Sequence, residues 1–179
     1  MQSEDNLLLA VKRYRHNAAV VSRAHFMAWE RYSRWNRYFG IPVVIMTALV
    51  GTAIFGTLQQ NPELYWRILA GGISILATVL AALQTYLNFS EQAEKHKEAG
   101  NSYAELRRKF DLLEIEMSQR GSSHNEQAIS ELKQIVAEQD EISKKCPSIP
   151  DKIYDDARQQ AEGAALPSDL DFRSGPPER

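Results

Sequence analysis

Two long stretches without charge restrict the fold of this chain more than any other feature. Tyr38 to Pro62 is 25 residues with no Asp, Glu, Lys or Arg, and Ile68 to Ser90 is 23 more. A helix crosses the roughly 30 Å hydrocarbon core of a bilayer in about 20 apolar residues, so both stretches are long enough. The competing reading is a pair of wholly buried core helices. A surface helix of a soluble protein shows a polar stripe with a period of about 3.6 residues. Phe39 to Leu58 offers only Thr47, Thr52 and Thr57, spaced by five so that they spiral around the axis. A chain of 179 residues has little else to cover two such helices on every side. The expected spans are therefore 39–58 and 68–90.

The flanks fit a membrane. Trp35, Tyr38 and Phe39 start the first stretch, Tyr65 and Trp66 start the second, and Tyr86 and Phe89 lie near its end. Amphipathic rings favour the membrane–water interface. Arg23, Arg31, Arg34 and Arg37 precede the first span, and Lys95, Lys97, Arg107, Arg108 and Lys109 follow the second. The connection offers Arg67 alone, beside Glu63. By the positive-inside rule both termini lie in the cytoplasm. The same arginines are either this topology signal alone or also a binding surface for anionic membrane lipids. Leu7 to Val11 is too short for the apolar core of a signal peptide.

Outside the spans the pattern is helical. Residues 5–38 hold neither Gly nor Pro, and Gly40 and Pro42 predict a bend before the first span. In 91–119, Ala99, Tyr103, Leu106, Phe110, Leu113 and Met117 recur at steps of three and four. This is a coiled-coil-like seam and a candidate surface for self-association. Ser123 to Glu126 has the capping-box pattern of a helix start, predicting a helix over 124–145. Cys146-Pro147 ends it, and Pro150 opens another over 150–163. The Pro-, Ser- and Gly-rich 166–179 is expected to be disordered. Lys12 to Tyr38 carries +6, whereas Glu91 onward carries −6. The expected fold class is all-α: one domain, 1–165, in which a two-span transmembrane hairpin carries a cytoplasmic helical bundle built from N- and C-terminal helices.

No catalytic constellation is visible. Glycine-rich phosphate loops, nucleophile elbows and metal-binding helix motifs are absent from the sequence. Cys146 is the only cysteine, and the four histidines share no ligand spacing. The adjacent Asp155 and Asp156 diverge by about 100° on a helix. A net charge of −2 gives no case for nucleic acid. The expectation is a protein that is not an enzyme and has no cofactor or metal. What remains is a stripe of small and polar residues in the second span: Gly71, Ser74, Thr78, Ala81, Thr85 and Asn88. The first span has a shorter ridge, Ala48, Thr52 and Gly56. Small residues let membrane helices approach closely. Alternatively the stripe lines water in a pore built from several chains. Eighteen residues make five helical turns, so on a continuous helix Thr85 and Tyr103 point the same way.

Four segments together resemble the SLATT family of prokaryotic two-span proteins. They are RYSRWNRYFG (31–40), the paired spans, AEKHKEAGNSYAELRRKFDLLE (93–114) and PSIPDKIYDDAR (147–158). The resemblance covers roughly 8–165. It implies a membrane effector of the bacterial inner membrane in anti-phage conflict systems, forming pores and driving cell suicide (abortive infection) as a homo-oligomer. It also implies partners: a cGAS-like nucleotidyltransferase, through its second messenger, or a SLOG-type sensor protein. The family supplies no catalytic residues. The second reading is a non-conducting adaptor whose hairpin only anchors a docking bundle. The lack of charge within the spans supports it, because selective ion paths often carry such charge.

Overall fold

The computed structural model describes residues 2–57, 64–120 and 125–164. The described residues form α-helices and no strand: α1 (Gln2–Thr57), α2 (Leu64–Leu87), α3 (Phe89–Arg120), α4 (Asn125–Lys145) and α5 (Asp151–Ala164). The fold class is all-α. The connection between the expected spans, the capping Ser123 and the 166–179 tail lie outside the described residues.

Helix α1 runs for 56 residues and contains Pro42. The expected punctuation at Gly40 and Pro42 does not end it. Proline removes one hydrogen bond from the ladder, and the turns on either side keep theirs. The opposite departure occurs at Asn88. The sequence predicts an uninterrupted helix through this point, but Asn88 has φ 42° and divides α2 from α3. Asparagine enters the left-handed region at less cost than most residues. Its backbone N–H donates to the Gln84 carbonyl at 3.1 Å, and its carbonyl accepts from Gln92 N at 3.2 Å. Its side-chain amide also donates to the Glu91 carboxylate. The phase relation between Thr85 and Tyr103 assumed a regular helix and does not carry through this residue. At the other boundaries the sequence is close. Cys146 N donates to the Ile142 carbonyl at the end of α4, and the Pro150 carbonyl accepts from Ile153 and Tyr154 N at the start of α5.

The chain divides into two compact units, Met1–Ala28 with His96–Arg179, and Trp29–Lys95. The first is a helical bundle. Ion pairs and hydrogen bonds set the register of α1 against α3. Arg15 meets Asp111 at 3.2 Å and Glu114 at 3.1 Å, and Ser22 Oγ donates to the Gly100 carbonyl at 2.8 Å. One residue number rises as the other falls, so the helices are antiparallel. Lys109 bonds to Glu138 at 2.6 Å and links α3 to α4. The core is Val11, Ala18, Tyr103, Leu106, Phe110, Leu113 and Ile135, with Val21, Met117, Leu132 and Ile142 packed against it. Fully burying a large apolar side chain of this kind stabilises a fold by about 1.5–3 kcal/mol.

In the second unit little is buried. Ala77 is enclosed, and Val43, Met46, Val50, Ile73, Leu80 and Gln84 are half-buried at helical spacing. A Cβ on Gly40 would stand 3.1 Å from Gln84 Nε2, so glycine permits this close approach of α1 and α2.

Candidate functional site

In the second unit, side chains that a soluble protein would bury face outward. Ile68, Ile75 and Val79 on α2, and Ile41, Val44 and Leu49 on α1, are all exposed. Among the described residues one helical stretch, Tyr65–Gln119, which runs through α2 and α3, contains a window long and apolar enough to cross a membrane, and only 6% of that window is buried. The other expected span, 39–58, runs past the point where the described part of α1 ends.

On this outward surface the small-residue stripe is split. Gly71, Thr78, Thr85 and Asn88 are exposed, while Ser74 and Ala81 are half-buried beside the line that meets α1. The Thr78 hydroxyl donates to the Ser74 carbonyl at 2.8 Å, and that of Thr85 to the Ala81 carbonyl at 3.0 Å. Each hydroxyl proton is thus satisfied within its own helix, which lowers the cost of leaving the group in lipid. On α1 the small ridge is not what faces α2. Ala48 and Thr52 are exposed, and the Thr52 hydroxyl donates to the Ala48 carbonyl at 2.9 Å. The surroundings of Gly56 lie outside what is described. The half-buried line on α1 is instead Val43, Met46 and Val50, where bulkier groups fill the space between the helices.

An aromatic cluster marks one end of the spans. Phe89 stacks on Phe39 at 5.8 Å between ring centroids and on Trp35 at 6.4 Å, with Tyr32 also at 6.4 Å. Tyr32, Trp35 and Phe39 follow one face of α1, and the turn at Asn88 brings Phe89 to them.

In the first unit the candidate self-association seam is internal. Leu106 and Phe110 are completely buried, and Tyr103 and Leu113 nearly so. Met117 packs on the same cluster. These residues meet α1 and α4 of their own chain; Tyr14, for instance, stacks on Phe110 at 5.8 Å. The seven-residue pattern reports a core, because apolar spacing on a helix does not distinguish a partner within the chain from one outside it. Burial raises the Tyr103 phenol above its ordinary pKa.

The same unit holds a pair that sequence spacing does not disclose. His25 Nδ1 and His96 Nδ1 are 2.9 Å apart, and both residues are buried. Tyr103 stacks on His25 at 5.7 Å. Burial, and secondarily the neighbouring His96, lower the His25 pKa from 6.5 to about 4, and burial lowers that of His96 as well. A signal was present in the sequence. His25 shares a helix face with Ala18, Val21 and Ala28, and His96 with Ala99 and Tyr103. Two imidazoles on apolar faces need each other or water. Among the described residues no group of three or more His, Cys, Asp or Glu is placed to hold a metal ion.

Compared with known proteins, residues 10–164 match the model of a domain family described as SMODS and SLOG-associating 2TM effector domain family 4. No curated protein and no solved structure matches the chain.

Proposed function

The chain belongs to the SMODS and SLOG-associating 2TM effector domain family, and from that premise we propose that it is a membrane effector of a prokaryotic anti-phage conflict system. The observation that carries this reading is the outward apolar surface of α2, whose spanning window is almost wholly uncovered. In water such a surface would drive aggregation; in lipid it is at home. On this reading residues 39–58 and 68–90 cross the inner membrane as a hairpin, with both termini in the cytoplasm. Several copies assemble and breach the bilayer when a nucleotidyltransferase partner signals infection. The exposed line Gly71, Thr78 and Thr85 is the natural contact between copies, since small residues permit close helix approach. No catalytic step is assigned to the chain.

One observation favours the adaptor reading. The Thr78 and Thr85 hydroxyls donate within their own helix, so the stripe does not require water beside it. Dye release separates the two. The full chain is reconstituted into phosphatidylethanolamine–phosphatidylglycerol vesicles loaded with carboxyfluorescein, with and without the cyclic nucleotide made by a neighbouring nucleotidyltransferase. Nucleotide-dependent release supports the effector. Co-flotation with vesicles and no release in either arm supports the adaptor. Protein that stays out of the vesicles without detergent overturns both.

A further inference from the structure

Among the described residues of the first unit, the His25–His96 contact is a buried polar junction built from two imidazoles. One hydrogen lies between the Nδ1 atoms, which requires that at least one of these atoms be unprotonated. We propose that this contact is a proton-operated clasp: neutral imidazoles hold the N-terminal part of α1 against α3, and acidification that charges both rings opens the junction. The inference concerns the first unit alone and stands apart from the effector reading.

The surroundings make the clasp sensitive. On α1, Ser22 is one turn before His25, and its hydroxyl is committed to the Gly100 carbonyl. Arg23 points to the exterior, held by Gln160 of α5 at 2.8 Å. On α3, Phe26 of α1 covers Gly100, and Tyr103 covers the His25 ring. Asp140 and Ser143 of α4 and Cys146 just beyond it act on Tyr103, and Glu98 of α3 acts on Cys146. Burial and the neighbouring His96 are what hold a proton off His25. The first proton can be shared across the pair as imidazolium and imidazole, preserving the bond. The second places N–H against N–H at 2.9 Å, and the rings must part.

The sign follows from linkage. Both folded rings take protons less readily than in the unfolded chain, so the unfolded state binds more protons as the pH falls. The stability that the pair contributes is complete above about pH 6.5 and is lost progressively toward pH 4. For His25 alone, these two values give a loss of about 20-fold in the folding equilibrium between pH 7 and pH 5.

The test uses the full chain in detergent micelles or nanodiscs. Ring titration of ¹⁵N-histidine is followed together with hydrogen exchange of residues 18–28 and 96–106, corrected for intrinsic rates. His25 should charge near pH 4, and His96 below the ordinary histidine range. Protection of these segments should fall at least 20-fold from pH 7 to pH 5. In the double variant His25→Gln/His96→Gln, which keeps a neutral polar pair, that pH dependence should be absent. Either ring titrating at 6.5 or higher with protection retained overturns the clasp, and so does an equal loss of protection in the double variant. Should the double variant not fold, the wild-type titration decides alone.

Discussion

Gly100 is where a single hydrogen atom in place of a side chain determines how closely two helices pack. A Cβ there would meet Phe26 ring atoms at 3.2 Å, tighter than ordinary carbon contact. Gly100→Ala gains about 1 kcal/mol of helix propensity and loses a comparable amount by displacing the ring, so its melting temperature should be near wild type. Gly100→Leu gains nearly the same propensity, but its longer side chain cannot be accommodated by a small shift of the ring. It should destabilise the first unit by about 1–3 kcal/mol through overpacking, read as a lower melting temperature with loss of the protection of the Ser22–Gly100 region. Seen in sequence, Gly100 merely weakens a helix prediction. Its reason is a neighbour 74 positions away, which local spacing cannot reveal. The apolar faces of the two histidines ask for a partner, but their pairing was opaque for the same cause: the antiparallel register of α1 on α3 brings them together, and no short-range pattern encodes that register.

At the level of elements, the helices were largely legible because apolar periodicity and caps are local. Boundaries such as Pro150 before α5 follow from one missing N–H. The two departures, passage through Pro42 and the turn at Asn88, both concern a residue whose preference is overridden or used by its surroundings. Asn88 has φ 42°, and a β-branched residue resists that conformation. Asn88→Val should therefore cost about 1–3 kcal/mol and displace Phe89 from its stack on Phe39. Asn88→Gly should preserve both. Thermal unfolding in detergent, with the emission of Trp35 isolated by Trp29→Phe and Trp66→Phe, measures the two effects. Equal behaviour of Val and Gly would show that the left-handed turn is not what holds the aromatic cluster. The small stripes were legible as composition but not as contacts. On α1 the ridge of Ala48 and Thr52 is exposed while Val43, Met46 and Val50 are half-buried.

For the whole molecule, Cys146 offers a test of the proposed topology. It is the sole thiol, half-buried, and burial followed by the nearby Glu98 pushes its pKa up. A membrane-impermeant maleimide should leave it unlabelled in intact cells and label it after lysis. Because only the thiolate reacts, labelling after lysis should be slow at pH 7 and accelerate toward pH 9. Rapid modification in intact cells would place the tail outside and reverse the orientation. The long-range pairing of α1 with α3 also bears on how the protein is made. Its first 28 residues find their partners on α3 71 to 102 positions later in the chain. At roughly 5–20 residues per second of synthesis, the opening segment waits about 4 to 20 s on the ribosome, its apolar face unmatched, while everything between is translated. Synthesis of the hydrophobic middle thus precedes closure of the bundle. A nascent chain stalled before residue 96 should expose to chaperones the surface that the finished protein conceals.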